Sequence, residues 1–523
     1  MSKTNSHPQD GVVPESYKRH LFWGLVLTAF LMILLLFIWP NFADIPFYHS
    51  EEVAIVTSPN ITGTYRIDYL AVIEGPELAK NQHENGFRMV LAAVGSEPTE
   101  VSLSSNRWAA ICEKLDLDPL APPTMPFYAN ADKRILERDE KSPNISAHRQ
   151  IDECLQNLWT DEHYPVMGKY IDEISPLLDL AIEAARKDFY FVPSQRMHDD
   201  SDILLPCVSV NRRIAVDLLV RANRSIANGD FDSAWRDIDA AMRLGAYLQG
   251  HHFVTSSNLG YGIFHTGWPV VVRFLQESEL PEELLQKCLS DLRSWPDLDD
   301  AVERRIQSHR LAALDMIDYY SSASRTERNM LESDLPKRAS SVLGIDWTLA
   351  AKASNHFFDE LEQLQNGSLT DHEKIAGYEQ IMDDLNARFT GNGIGLYLSR
   401  GCRSNHIAIK NCYHYFSYDI FVKMDRLYQI RRQLLAFAFE IEIEKRQNGR
   451  YPATLDFLND RYTQEQLTDP INNIPFVYRP NETGEGYLLY SVGWNGIDEN
   501  GSWIDTPGLR SMTTNDDIGI TVP

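Results

Sequence analysis

The sequence predicts a mainly α-helical protein. It has an N-terminal transmembrane helix, a helical-bundle or repeat-like body, and a small C-terminal α+β module. Three observations carry this. Residues 21–39 hold no charge and are mostly apolar. From about residue 146 to 447, apolar side chains recur at the three-to-four-residue spacing of helices. After Gly449 that period gives way to turns and short runs rich in aromatic and β-branched residues.

The 523 residues are enough for two to four domains, and the 43% hydrophobic content is that of an ordinary globular chain. The formal charge of −25 and the lack of a Lys/Arg stripe exclude a nucleic-acid binder.

Residues 1–20 are polar, with Pro8 and Pro14, and read as a cytoplasmic tail. Leu21 to Trp39, as a helix, would span roughly 28 Å, about the thickness of a bilayer core. Trp23 and Trp39 stand where indoles favour the membrane interface. Lys18 and Arg19 flank one side; Asp44, Glu51 and Glu52 follow the other, with no Lys or Arg before Arg66. The positive-inside rule then places the N-terminus in the cytoplasm and the bulk of the chain on the exported side of a single-pass cytoplasmic membrane protein. No Ala-x-Ala site follows, only Asn41-Phe42-Ala43, so an uncleaved signal anchor is expected over a cleaved leader.

Residues 40–145 read as an irregular exported segment, punctuated by Pro46, Pro59 and Gly63. Within it, 86–94 suits a short strand or helix, and 105–115 a helix with Trp108, Ile111, Cys112 and Leu115 on one face. Pro119, Pro122, Pro123 and Pro126 mark a surface loop. The body, 146–418, carries helical periods over 167–187, 208–228, 231–249, 253–277, 281–294, 297–322, 346–366 and 371–389. Pro269 is expected to kink or break the fourth. A mobile connection is expected near 321–340, and a glycine loop at 391–395. Between 222 and 244, Gly229 can cap one helix and Asp230 start the next. Ala234, Ile238 and Ala241 then resemble the second helix of a tetratricopeptide unit, although no copy lies about 34 residues away and two ordinary antiparallel helices account for the pattern equally well.

Residues 419–523 form the last division: a long helix, broken near Tyr418 and ending at Asn448-Gly449, and then the C-terminal module. Leu435, Phe439 and Ile443 lie at turn spacing on the helix. Pro452 prevents its continuation, and Pro470 holds Asp469 extended at a corner. Phe476 to Tyr478 and Tyr487 to Val492 read as strands joined by a polar turn containing Gly484 and Gly486.

In order, the pieces are Arg450-Tyr451-Pro452, Asp469-Pro470, Pro475-Phe476-Val477-Tyr478 and Ser491-Val492-Gly493-Trp494-Asn495-Gly496. This series, over about 430–505, resembles the C-terminal module of the major pseudopilins of type II secretion. Pilin subunits carry their apolar helix contiguous with the module, with a processing site and a nearby glutamate. Here some 400 residues intervene and the apolar run holds no acid, so a filament subunit is not expected. The layout resembles that of large membrane-anchored bacterial proteins of unassigned function.

The turn Asn495 to Gly501, with Asp505 beyond it, gathers oxygen donors of the kind calcium takes. The resemblance implies a calcium site here, held by Asn495, Asp498, Asn500 and Asp505. Asn495 stands where the family has Asp, and an Asx/Gly turn without metal is the competing reading. No other cofactor is expected. His251 and His252 point about 100° apart on a helix, and His265 lies nearly four turns further on, so they do not read as a chelating set. The six cysteines (112, 154, 207, 288, 402 and 412) have no C-x-x-C spacing and read mostly as buried thiols. No P-loop, zincin, Gly-x-Ser-x-Gly or catalytic cysteine signature occurs. The expected function is therefore that of an envelope scaffold or interaction protein. An envelope hydrolase whose carboxylates converge only in the fold, and an accessory of a secretion or pilus-like machine, are the alternatives.

Overall fold

The computed structural model describes residues 15–38, 44–46, 61–62, 66–95, 105–125, 147–196, 203–204, 208–277, 280–322, 344–390, 400–405, 408, 417–482, 484–502 and 516–523. The connection expected at 321–340 and the glycine loop at 391–395 lie almost wholly outside them, as do Cys207 and Cys412. Cys112, Cys154 and Cys288 are buried free thiols, and Cys402 is a half-buried one.

The chain is mainly helical, with a small sheet at its C-terminal end. It divides into two units that interleave along the sequence: 1–57, 317–355 and 385–410 form one, and 58–316, 356–384 and 411–523 the other. The linear division at 146 and 418 does not follow this partition.

In the first unit, α1 (Glu15–Ile38) carries the apolar run, and Phe22, Trp23, Leu25, Leu27, Phe30 and Met32 are all exposed. Side chains of α1 are described mainly over 22–32, and among the described residues no helix is long and apolar enough to cross a membrane. Elsewhere in this unit Ile45 pairs with 345–347: its N–H donates to the Ile345 carbonyl at 2.7 Å, and its carbonyl accepts from Trp347 N at 3.1 Å. Arg403, buried, donates to the Gly344 carbonyl at 2.7 and 3.0 Å.

The second unit contains α2 (Tyr69–Leu78), α3 (Gly86–Val94), α4 (Ser105–Lys114), α5 (Ala147–Gln156), α6 (Pro165–Ala185), α7 (Val208–Ala227), α8 (Phe231–Gln249), α9 (Val254–Leu275) and α10 (Glu282–Arg293). It also holds most of α11 (Ala301–Ser322), parts of α12 (Trp347–Asn366) and α13 (Asp371–Thr390), and all of α14 (Tyr418–Asn448). The region expected to be irregular thus contains α2, hidden in the sequence by Gly75-Pro76. Asp68 starts it by accepting from Ala71 N at 3.1 Å. Region 86–94 is a helix, begun by Asn85, whose side chain accepts from Phe87 N at 3.0 Å.

Helix α8 is the centre, packing most extensively on α9 and α7. Gly229 (φ +72°) ends α7, and Asp230 accepts from Ser233 N at 3.2 Å to start α8. Gly260 of α9 lies so close to α8 that a Cβ there would stand 2.2 Å from Gln249 N and 2.4 Å from Gly245 O. Pro269 does not end α9. Burial of Val270, Val271, Phe274 and Leu275 beyond it offsets the ~3 kcal/mol cost of an interior proline.

Helix α14 runs unbroken from Tyr418 and stops at Gly449 (φ +73°), whose N–H donates to Lys445 O at 2.8 Å. Strands β5 (Val477–Pro480), β6 (Tyr487–Ser491) and β7 (Ile518–Val522) form an antiparallel sheet in that order. Sequence reasoning did not anticipate β7. Tyr490 pairs with Val477 on one side and Gly519 on the other. Further two-residue pairs are β1–β2 (61–62 with 66–67) and β3–β4 (195–196 with 203–204). Helix α14, the spine helix if the pseudopilin resemblance holds, packs on α8 and α9: Phe439 meets Trp235 edge-on at 5.2 Å, and Tyr428 meets Phe264 at 5.0 Å.

Candidate functional site

After β6 the chain turns through Gly493, Gly496, Asn500 and Gly501, all with φ between +61° and +75°. These turns aim backbone amides at two aspartates that immediately precede β7. Asp516 Oδ2 accepts from Trp494 N and Asn495 N at 2.9 and 3.0 Å. Asp517 Oδ2 accepts from Gly501 N and Ser502 N at 2.8 and 3.2 Å. The second oxygens, Asp516 Oδ1 and Asp517 Oδ1, are buried without a hydrogen-bond donor among the described residues. Burial, reinforced by the charges of Glu499 and Asp498, pushes the Asp517 carboxyl up to about 6. Burial and Glu499 also raise Asp516, against the two amides that hold it. Asp469 braces the loop from below, accepting from Ser491 Oγ at 2.6 Å and Ile471 N at 2.8 Å.

The residues singled out in the sequence occupy the same loop but do other things. Asn495 Oδ1 accepts from Ile497 N at 2.6 Å, and its Nδ2 donates to Glu499 at 2.6 Å. Asp498 Oδ1 accepts from Tyr490 and Asn500 N, and its Oδ2 from Arg479 at 2.7 Å. Asn500 Oδ1 accepts from Arg479 at 2.8 Å. Asp498 and Asn500 therefore face a guanidinium and hold the turn. Asp505 lies outside the described residues. Among the described residues no three His, Cys, Asp or Glu side chains are arranged to hold a metal ion. The oxygens chemically fit for a hard cation are those of Asp516 and Asp517. Their only signal in the sequence was adjacency to the alternating apolar run Ile518-Gly519-Ile520-Thr521-Val522.

A second polar centre lies inside the helical unit. Arg305, fully buried, pairs with Asp425 at 2.7 and 3.1 Å and also donates to Ser257 Oγ and the Gln249 carbonyl. His251 and His309 flank it. His251 Nε2 donates to the Val192 carbonyl at 2.9 Å, and His309 Nδ1 to the Arg305 carbonyl at 2.8 Å. Burial pushes His251 down to about 3 and His309 down to about 4. Both are neutral, satisfied core histidines. His252 binds Ser308 Oγ at 3.2 Å. The two-point pairing of Arg305 with Asp425 inside the helical unit suits a structural tie.

Comparison with known proteins finds no matching family model, no matching curated protein and no matching solved structure.

Proposed function

We propose that this protein is a membrane-anchored envelope scaffold. It would hold protein partners on the exported side, its N-terminus lying in the cytoplasm. One observation carries the reading: α1 presents Phe22, Trp23, Leu25, Leu27, Phe30 and Met32 to its surroundings, in directions spread around most of the helix, and no charged residue stands between them. A helix apolar all round has no solvated face, and a bilayer is the surrounding that suits it. The basic flank of Lys18 and Arg19 supports the orientation.

The order of sequence pieces over about 430–505 resembles that of the pseudopilin module, and we read Asp516 and Asp517, just beyond it, as the carboxylates that would hold calcium. Its role would be to neutralise these carboxylates and fix the loop against β7. The spine helix is occupied by contacts with its own body at Trp235 and Phe264, which weighs against a filament-like use of it in a secretion machine. The same packing removes the side of α14 that carries Tyr428 and Phe439 from the surfaces offered to partners. Partner contact is then left to the body and to the loop and sheet of the module.

The test is in-cell crosslinking, purification of the full-length protein and mass spectrometry. Stoichiometric recovery of envelope proteins supports the scaffold. Recovery of the chain alone, or its release from membranes by alkaline carbonate, overturns it.

A further inference from the structure

A cleft of about 500 Å³ lies in the helical unit, between the end of α10, the following loop, α14 and the segment 461–466. That volume falls in the range of ligand sites, roughly 300–1,000 Å³. Its walls carry opposite charges at their two ends. At one end stand Arg293, Arg432 and Arg461. Arg293 and Arg461 share a single carboxylate, Glu440, and Arg432 donates to the Arg293 carbonyl at 3.2 Å with no carboxylate partner among the described residues. Three guanidiniums against one carboxylate leave this end positive, in a chain whose net charge is −25.

At the other end stand Asp297 and Asp299. Asp299 N–H donates to Asp297 Oδ1 at 3.1 Å, and Gln429 Nε2 donates to Asp299 Oδ1 at 2.8 Å. Gln433 also lines the wall.

We propose that this cleft binds a short zwitterionic peptide, with its carboxylate against Arg432 and its neighbours and its ammonium against Asp297 and Asp299. Guanidiniums match a carboxylate in shape and charge. The α14 residues lining the cleft, Gln429 to Ala436, extend over roughly 10 Å at a helical rise of ~1.5 Å. That is the length of about three extended residues at ~3.3 Å each. The site is independent of the membrane anchor and of the scaffold reading, so either can fail without the other.

The experiment is calorimetric titration of the purified full-length protein with tri-alanine, N-acetyl-tri-alanine, tri-alanine amide and free alanine. Tri-alanine is expected to bind, and blocking either end to weaken it about tenfold, the loss of one screened charge pair. In R432Q, amidation of the ligand should cost nothing further while acetylation still does. In D297N/D299N the reverse should hold. These couplings compare ligands on one protein, so a general loss of fold cannot mimic them. The proposal is overturned if tri-alanine does not bind at millimolar concentration, if free alanine binds as well, or if blocking the ends leaves affinity unchanged.

Discussion

Arg305 and Asp425 lie 120 residues apart in sequence and meet as a two-point ion pair, Nη1–Oδ2 2.7 Å and Nη2–Oδ1 3.1 Å. Arg305 is fully buried, and its guanidinium also stands 5.0 Å from the Phe421 ring. The pair ties α11 to α14, and Gln249 joins it from α8 by donating to Asp425 at 3.1 Å. Removing one partner leaves an uncompensated charge in the interior, which costs about 3–5 kcal/mol. Arg305→Met should lower unfolding free energy by that amount in urea titration. The double variant R305M/D425L should recover much of the loss, because no buried charge then remains. Equal destabilisation by single and double variants would contradict this account.

His251 and His309 predict a specific acid sensitivity. Their folded-state values, about 3 and about 4, lie below the ordinary 6.5 of histidine. As pH falls below 6.5 the unfolded chain takes up protons that the folded protein refuses. The stability they contribute is complete above pH 6.5 and is lost progressively as pH falls toward 4 and 3. Thermal melts across this window should show the decline. H251Q/H309Q should be less stable near neutrality but show a shallower slope on acidification. An unchanged slope would place the acid sensitivity elsewhere.

Close approach of α8 and α9 gives a third expectation. A methyl group at Gly260 would overlap Gln249 N and Gly245 O, backbone atoms that cannot rotate away. Overpacking of this kind costs typically about 1–3 kcal/mol. Gly260→Ala should therefore lower the melting temperature, although alanine is the better helix former. Gly262, also on α9, has nothing within 4 Å of its would-be Cβ, and Gly262→Ala should stabilise. Melts of the two variants separate steric contact from helix propensity.

The triad of half-buried Lys445 with buried Tyr451 and Glu442 pins the chain just after α14. Lys445 Nζ donates to Tyr451 Oη at 2.9 Å, and Tyr451 donates to Glu442 Oε1 at 2.9 Å. Burial raises the Glu442 carboxyl while the Tyr451 hydroxyl opposes it. Tyr451→Phe keeps the ring contact with Tyr487 but leaves the carboxylate short of a donor, at a cost of about 1–3 kcal/mol. Loss in equilibrium unfolding, with unchanged near-ultraviolet circular dichroism, would identify the hydroxyl as the cause.

The helical body was legible because its cues are local. The span expected at 231–249 is α8 to the residue, and Gly229-Asp230 marks its start with a cap and a left-handed turn. Long-range relations were not legible. Nothing near Arg305 announces Asp425, and the interleaving of the two units follows contacts that sequence order does not encode. Helix α2 was hidden because Gly75-Pro76 reads as a turn, although a proline near the end of a short helix forfeits little. At the candidate site the turn residues 495–500 advertised themselves by composition, yet their oxygens are spent on Arg479 and on the loop's own amides. The carboxylates with open oxygens, Asp516 and Asp517, come from a different stretch of chain that only the β6–β7 pairing brings alongside.

Calcium supplies the last prediction, and pH makes it discriminating. With its carboxyl raised from 3.8 to about 6 in the folded protein, Asp517 contributes stability below pH 3.8 and loses it as pH rises through 6, because the unfolded chain gives up the proton first. At neutral pH the folded loop therefore carries an unfavourable carboxylate, held near the charges of Glu499 and Asp498. A cation bound by Asp516 Oδ1 and Asp517 Oδ1 would relieve it and stabilise the folded state in proportion to the logarithm of its concentration. Melting temperature at neutral pH should rise with millimolar calcium and fall again with a chelator, and the increment should shrink as pH drops below 6 and protons compete. Asp517→Asn should abolish the calcium increment and raise the melting temperature of the calcium-free protein. Asp498→Asn, at a residue committed to Arg479 and Tyr490, should leave the calcium increment in place. If calcium moves neither the wild-type melt nor its pH profile, the two open oxygens are not a cation site, and the loop is held by its turns alone.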